Sequence, residues 1–438
     1  MTEKTQDLME KIVSLCKRRG FVYPSFDIYG GLSGLFDYGP HGLALKNNIT
    51  QMWWKQFVTD REDMYGIDST ITTKKEVLQA SGHARGFADM LSECEKCKRR
   101  FRADHLSDRQ KCPECGGKLG EARQFYMMLE THLGAAEDEA SLAYLRPETA
   151  QGIFTNLKNI IDSFHPDLPF GIAQIGKVFR NEIAPRDFLF RVRELEQMEV
   201  EYFIKQEDWK HAFEMWQKEI HRFIEFVGID AKKVHELEVA DDDRAHYSKR
   251  TVDFEFEFPF GLKELYGLAY RTDYDLKNHT TASTVDLSYF DEETKEKITP
   301  HVIEPSLGVG RTILAVLLSA YTEDELGGEN RIYLKLSPKV APVKVAVFPL
   351  LKNKPELVEK AREIYKILKK EFGAVVFDDN GNIGKRYRRQ DEIGTVWCVT
   401  VDFETIEQDT GVTVRDRDTG IQKRMQITEL VDYIKSQI

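Results

Sequence analysis

Phe170-Gly-Ile-Ala-Gln-Ile-Gly-Lys-Val-Phe-Arg-Asn-Glu182, a polar turn over 181–187 broken by Pro185, and then Arg191-Val-Arg-Glu-Leu-Glu-Gln-Met-Glu-Val-Glu201 form the stretch on which the fold turns. From Phe170 to Phe203 the pattern predicts two strands around a polar turn. A period of two puts Arg191, Arg193, Gln197, Glu199 and Glu201 on one face of the second strand. So many charges are costly when buried and idle when fully exposed, which points to a polar cleft holding a charged ligand. A solvated sheet face is the alternative. Arg180 and Glu182 close the first strand as Arg191 and Arg193 return on the second. Guanidinium groups converging on one cleft suit a triphosphate, because each stays charged and binds phosphate oxygens in pairs.

Downstream, Glu304-Pro-Ser-Leu-Gly-Val-Gly-Arg311 leads into an apolar helix, Thr312 to Ala320. Glycines there let backbone approach a ligand, and the helix start presents unpaired N–H groups. The stretch lacks the Gly-Lys-Ser/Thr ending of a Walker loop, and it is no dinucleotide fingerprint. Trp209, Phe213, Trp216, Ile220, Phe223 and Val227 alternate steps of four and three, the stripe of a helix docked on a sheet. Phe254, Phe256 and Phe258 alternate with acids, predicting a half-buried antiparallel strand, and Asp241 to Asp243 reads as a solvated turn. Upstream, Leu8, Ile12, Leu15 and Cys16 mark an opening helix, and Leu43, Ile49, Trp53 and Phe57 a second. His83, His246 and His279 read as structural rather than catalytic.

Cys94-x-x-Cys97 and Cys112-Pro-Glu-Cys115 are paired knuckles offering four thiolates to a tetrahedral zinc. A closed set of four thiolates leaves no open position, so the metal would be structural. Lys96, Lys98, Arg99, Arg100, Arg102 and Arg109 cluster around it and read equally as a nucleic-acid contact or a solvated basic face.

The chain of 438 residues has room for about three domains, and its net charge of −11 argues against coating a polyanion over the whole surface. The charge is uneven: residues 341–438 net +1 and the rest −12. Near Ser337-Pro-Lys-Val-Ala-Pro342 the composition shifts toward a separate α/β unit, with a strand over Val343–Pro349 and a helix over Pro355–Phe372. Six sparse cysteines suit a reducing compartment. Without a signal-like segment or a long apolar run, the expectation is a cytoplasmic protein with no membrane partner.

Phe179-Arg-Asn-Glu182 with its charged return strand, and Gly308-Val-Gly-Arg311 opening a helix, resemble motifs 2 and 3 of the class II aminoacyl-tRNA synthetases. Ala80-Ser-Gly-His83, Phe101-Arg-Ala-Asp-His105, Arg146-Pro-Glu-Thr-Ala-Gln-Gly152, Glu304-Pro-Ser306 and Gly384-Lys-Arg-Tyr-Arg-Arg-Gln-Asp-Glu-Ile-Gly394 are similar to the single-chain, homodimeric, glycine-specific branch of that class. They keep its order over nearly the whole sequence.

The resemblance implies an α+β fold, with an antiparallel sheet flanked by helices, a zinc-ribbon insertion and a C-terminal α/β anticodon-binding domain. Residues 1–340 would form the catalytic domain, interrupted by the ribbon at about 90–120 and a helical insertion at about 205–250, with 341–438 binding the anticodon. A homodimer would form through roughly Gly39 to His83. The implied reaction joins glycine to ATP as glycyl-adenylate, then to the 3′ end of tRNA(Gly), with Mg²⁺ and a structural Zn²⁺ as cofactors. By position, Arg180 would touch the α-phosphate and the glycine carboxylate, Glu182 the adenine amino group, and Arg311 the adenine face and γ-phosphate. Arg191 would hold the γ-phosphate end and Glu264 a magnesium ion. Asn181, Phe190, Arg193, Leu195, Leu265, Gly308 and Gly310 complete the ATP set, Leu195 standing where the family has a phenylalanine that stacks on adenine. Glu148, Glu199 and Glu304 would receive the glycine ammonium and Ser306 close the pocket at Cα, with Arg102, Gln197 and Arg271 at further glycine-contact positions. The rival expectation is a non-catalytic RNA-binding protein on a synthetase scaffold, which predicts broken ATP residues.

Overall fold

The two decisive runs pair antiparallel, Phe170 opposite Phe203 and Phe179 opposite Glu194. They belong to a seven-stranded sheet built from β1 (Met64–Gly66), β2 (Phe170–Phe179), β3 (Glu194–Ile204), β4 (Val234–Glu238), β5 (Arg250–Phe258), β6 (Gly261–Thr272) and β7 (His301–Gly308). Its spatial order is β4-β5-β6-β7-β3-β2-β1, antiparallel throughout except between β1 and β2. This is a computed structural model describing residues 3–437 other than Asp104, His105, Ser107, His246, Glu293 and Asp409. The end of the Phe101–His105 stretch and His246 therefore lie outside the described residues.

Seven helices matter to the site: α1 (Pro40–Trp54), α2 (Ala150–Phe164), α3 (Trp209–Val227), α4 (Tyr274–Ser283), α5 (Val309–Ala320), α6 (Pro355–Phe372) and α7 (Ile383–Ile393). Alternation on β3 sorts the sheet's faces. Met198, Val200, Tyr202 and Ile204 enter one large core with Ile49 and Trp53 of α1, Phe213, Trp216 and Ile220 of α3, and most of α5. Phe57 stacks on Trp216 at 5.6 Å, and Tyr202 meets the same indole edge-on at 5.3 Å. On the other face Phe203 packs with Ile153, Phe154 and Leu157 of α2 in a second core. Between that core and the open end of the sheet lie Gln197, Glu199 and Glu201, all buried. One face of one strand thus carries a polar site between its cleft end and an apolar anchor.

The segment expected as a helical insertion at 205–250 holds α3 and also β4, which is the edge strand of the main sheet. It is therefore continuous with the main sheet, because the β4 backbone pairs along β5 from Val234 to Glu238. In the second predicted helix, Leu43 is 47% exposed, so the buried stripe runs through Leu45, Ile49 and Trp53 instead.

The composition shift near residue 340 marks a real change of architecture. Strands Val345–Pro349, Val375–Phe377, Trp397–Val401, Val412–Asp416 and Gln422–Met425 form a five-stranded sheet in which Val345–Pro349 lies between Val375–Phe377, the edge strand, and Trp397–Val401, parallel to both, while the last two strands pair antiparallel. Val345–Pro349 and Trp397–Val401 are buried on both faces, as parallel strands covered by helices require.

Candidate active site

β2 ends at Phe179, and the next residues turn at once. The Arg180 N–H donates to the Arg193 carbonyl at 2.9 Å, and Arg186 and Arg191 exchange backbone bonds at 3.1 and 3.3 Å, closing a long loop. Asp187 and Phe188 at its tip adopt the left-handed conformation, with φ of 61° and 58°. The loop lies over a cleft of about 590 Å³ lined by Arg102, Glu148, Arg180, Glu182, Phe190, Arg191, Leu195, Gln197, Glu199, Glu264, Leu265, Glu304, Ser306, Gly308, Gly310 and Arg311. The structure thus brings together residues from five distant parts of the chain.

Three expected residues are not on that lining. Arg193 lies one residue before β3 starts, so the period of two does not carry it into the cleft; it donates to the Ser33 carbonyl at 2.6 Å and the Glu182 carbonyl at 3.2 Å, clamping the glycine-rich segment to the loop. Asn181 is held by its backbone, donating to the Met127 carbonyl at 2.7 Å. Arg271 is fully buried beneath the cleft floor. It grips Asp275 with two bonds of 2.9 and 3.0 Å and Glu304 at 2.7 Å, and lies 3.8 Å above the Tyr247 ring centre. It therefore acts through Glu304 rather than at the cleft surface.

One side of the cleft is basic. Arg311, in the first turn of α5, lies over the Phe190 ring at 4.5 Å and meets the Glu264 carboxylate at 3.2 Å. That guanidinium holds the Glu264 carboxyl below its ordinary range. Gly310 makes a close approach here, since a Cβ would lie 3.1 Å from the Leu189 carbonyl oxygen and press on it. Arg180 donates to the Pro147 carbonyl at 3.1 Å, and Arg191 approaches Glu182 at 3.9 Å. Burial raises the Glu182 carboxyl despite Arg191 and Arg180 beside it.

The acidic side is set by cross-strand register. Glu199 stands opposite Ser306, and Ala269 opposite Glu304. The Ser306 hydroxyl donates to Glu199 at 2.7 Å, and the Thr149 N–H at the start of α2 donates to Glu199 at 3.1 Å. A carboxylate at a helix N-terminus is favoured by both the free N–H groups and the dipole. Glu148 meets His83 at 3.2 Å and Gln151 at 2.8 Å, while Ser81 fixes the other ring nitrogen of His83 at 2.8 Å. Against the opposing pull of burial, the charges of His83 and then Arg271 keep Glu148 well below the usual carboxylate range. Burial, reinforced by neighbouring acids, raises Glu199 and lifts Glu304 well above it.

Sequence reading missed several residues that matter here. Asp253 lines the cleft beside Glu264, and burial with that neighbour's charge pushes it up to about 7. It alternates with Phe254, and the outer face of β5 turns to the cleft at Thr251 and Asp253 while Glu257 on the same face stays exposed. Asp241, Asp242 and Asp243 are exposed, and Asp243 also stands at the cleft. His83, expected as structural, stands between Ser81 and Glu148. Glu201, one step beyond Glu199, is fully buried, and neither of its carboxylate oxygens has a hydrogen-bond partner among the described residues.

Away from the cleft, the four Sγ atoms of Cys94, Cys97, Cys112 and Cys115 lie within 4.8 Å of one another. Cys94 to Cys115 is 3.5 Å and Cys97 to Cys112 is 3.7 Å, close to the roughly 3.8 Å edge of a zinc–thiolate tetrahedron with 2.3 Å bonds. The Cys97 N–H donates to the Cys94 sulfur at 3.4 Å, and a Cβ on Gly117 would crowd the Cys94 and Cys115 sulfurs at 3.2 Å. The donor set fits zinc.

Residues 134–320 match the family described as tRNA synthetase class II core domain (G, H, P, S and T), and residues 344–437 match the anticodon binding domain. Fold, cleft and both matches define a class II aminoacyl-tRNA synthetase. Curated relatives named glycine–tRNA ligase extend over nearly the whole chain: 48% identity in Thermobifida fusca over 99% of this chain and 98% of the relative, 49% in Borrelia garinii over 98% and 97%, and 46% in Clostridium acetobutylicum over 99% and 100%. The chain belongs to the glycine–tRNA ligase family.

Glu201 supplies a test of the buried charge count. Burial, with Glu304 beside it, raises its carboxyl well above the ordinary 4.5. The unfolded chain releases this proton above about pH 4.5 while the folded chain keeps it, so the residue's contribution to stability declines as pH rises. Glu201→Gln does not titrate. Its apparent Tm should match wild type near pH 5 and exceed it at pH 8, by about 2–4 °C for each kcal/mol recovered; a lower Tm at pH 8 would show that the ionised carboxylate is needed.

Proposed function

We propose that the cleft activates glycine with ATP and then charges tRNA(Gly), with the site residues in the roles that follow. The observation that carries this reading is the juxtaposition of a basic nucleotide wall, Arg180, Arg191 and Arg311, with a seat of carboxylates, Glu148, Glu199 and Glu304, closed by Ser306. A carboxylate oxygen of glycine attacks the α-phosphorus of ATP, the bond to the bridging oxygen breaks, and pyrophosphate leaves with the electron pair. Arg180 neutralises charge on the α-phosphate and the attacking carboxylate, and Arg191 and Arg311 receive the β- and γ-phosphates. Glu182 accepts from the adenine amino group. Adenine lies along Phe190, Leu195 and Arg311, with an aliphatic contact from Leu195. Glu264, with Asp253 beside it, would hold Mg²⁺, which neutralises polyphosphate charge when bound.

Specificity for the smallest amino acid follows from a wall at Cα. Removing one methylene is worth only about 1–3 kcal/mol as an attractive contact, whereas overlap rejects every side chain. Ser306, fixed by Glu199 and 3.4 Å from the Gln197 amide, supplies that wall. Gly267 and Ala269 across the sheet keep the floor low; a Cβ on Gly267 would meet nothing within 4 Å.

Cys94, Cys97, Cys112 and Cys115 hold a structural zinc whose ribbon sits beside Arg102. The protein works as a homodimer in the cytoplasm. Exposed Leu43 and Ile71 within the 39–83 stretch support a second copy there, and free cysteines support a reducing compartment. No helix among the described residues is long and apolar enough to cross a membrane.

Arg311→Ala should lower glycine-dependent ATP–pyrophosphate exchange by at least about a hundredfold, the scale of removing one transition-state charge partner. Near wild-type exchange would remove Arg311 from the mechanism. Cys112→Ser should bind less than one zinc per chain by metal analysis and unfold the ribbon; full zinc content in that variant would contradict the four-thiolate assignment.

A further inference from the structure

The strands Tyr321–Leu326 and Glu329–Leu334 form a hairpin that leaves the end of α5, the helix that carries Arg311 in its first turn. The hairpin runs directly to the C-terminal domain. Arg331, on its second strand, is one of the largest fully buried side chains in the molecule. Its guanidinium pairs with Asp324 of the first hairpin strand through bonds of 2.8 and 2.6 Å. The same group donates across the seam to the Arg417 carbonyl at 2.6 Å and the Asp418 carbonyl at 3.2 Å, and lies 3.5 Å from Asp391 of α7. Asp391 is itself fully buried and is held by Arg415 with two bonds of 2.8 and 2.9 Å. Arg417 then reaches back, donating to the Leu336 carbonyl at 2.9 Å and the Gly394 carbonyl at 2.8 Å.

Buried charge is poor glue. Apolar side chains of the same volume would hold two surfaces together as well or better, but they would tolerate sliding and rotation. A planar fork with every donor aimed at an acceptor on two bodies tolerates neither. What such a seam provides is a fixed orientation of the anticodon-binding domain relative to α5 and its Arg311.

The two half-reactions need that orientation unequally. Adenylate formation takes place within the cleft. Transfer requires the tRNA to be held at the C-terminal domain while its terminal adenosine hydroxyl attacks the glycyl carbonyl carbon. The new ester bond forms, the bond from that carbon to the AMP oxygen breaks, AMP leaves with the electron pair, and the hydroxyl proton passes to solvent. An error of about 1 Å in delivering one reactant can cost about a hundredfold in rate. We propose that Arg331 is a positioning residue for the transfer step, locking the anticodon-binding domain to the motif 3 helix so that a tRNA held at one end presents its other end in register at the cleft. This rests on the reading of the cleft and C-terminal domain given above.

Arg331→Met tests it, because Asp391 keeps both bonds from Arg415 and Arg417 keeps its two carbonyls. Glycine-dependent ATP–pyrophosphate exchange should stay within about twofold of wild type, with unchanged KM for glycine and ATP. Transfer from preformed glycyl-adenylate at saturating tRNA should fall at least about tenfold, with KM for tRNA within about threefold. Transfer within about twofold of wild type would overturn the proposal. So would a rise in tRNA KM with unchanged transfer at saturation, since general loosening of the domain does that. Asp324→Asn is the milder variant, leaving the guanidinium its partners across the seam while releasing the hairpin. It should lose transfer alone, by about threefold, and it decides the matter if Arg331→Met does not fold: unchanged transfer in Asp324→Asn overturns the proposal. Absence of glycine-dependent exchange in the wild-type protein would instead overturn the reading of the cleft.

Discussion

One guanidinium organises the centre of this molecule. Arg271, fully buried, is the cation around which Asp275, Glu304, Glu148 and Glu201 gather between two hydrophobic cores. Acids at that density would repel one another or refuse to ionise without it, and burial lifts Glu304 and Glu201 even so. The fold meets the demand by register. β6, β7 and β3 run side by side, so Glu304 and Ser306 of β7 stand between the small Ala269 and Gly267 on one side and Glu199 on the other. The floor of the cleft is thereby lined with carboxyl groups and kept low before any ligand arrives.

Those features complement a small zwitterion. In the proposed reading the arginine wall takes carboxylate and phosphate, the carboxylate seat takes an ammonium, and Ser306 closes the space at Cα. An incoming ammonium brings the positive charge that the raised acids lack. Glu148 is fixed as an anion by His83 and Arg271, so recognition does not depend on every acid being ionised in the free protein. Seen this way, the Arg146-Pro-Glu-Thr stretch has three distinct duties. Arg146 ties the start of α2 to β2 through the Lys177 carbonyl at 2.7 Å, Glu148 faces the seat, and Thr149 presents the helix N-terminus to Glu199.

Much of this was legible in the amino-acid sequence, and the reasons are physical. Strand alternation sorted Gln197, Glu199 and Glu201 onto one face, and the stripe from Phe213 to Val227 announced a helix on a sheet. Paired knuckles of cysteine announced a metal-sized cage. Other features depend on contacts that sequence spacing does not carry. Arg193 shares the parity of the cleft residues yet lies outside the strand, so a clamp on Ser33 was read as a phosphate ligand. Asp253 does not stand out in the sequence, because alternation tells two faces apart without saying which lines a cleft. Arg271 resembled a substrate contact, but its depth beneath Glu304 depends on the packing of β6, α4 and Tyr247. The link from Arg331 to Asp391 joins residues sixty positions apart across two domains, and no local pattern marks it.

The central claim is that the carboxylate seat and the serine wall admit glycine and nothing larger. A panel of the twenty amino acids in ATP–pyrophosphate exchange tests it most directly. The account predicts exchange with glycine alone, with alanine and serine at least about a hundredfold weaker in kcat/KM. Comparable exchange with alanine or serine, or none with glycine, would contradict it.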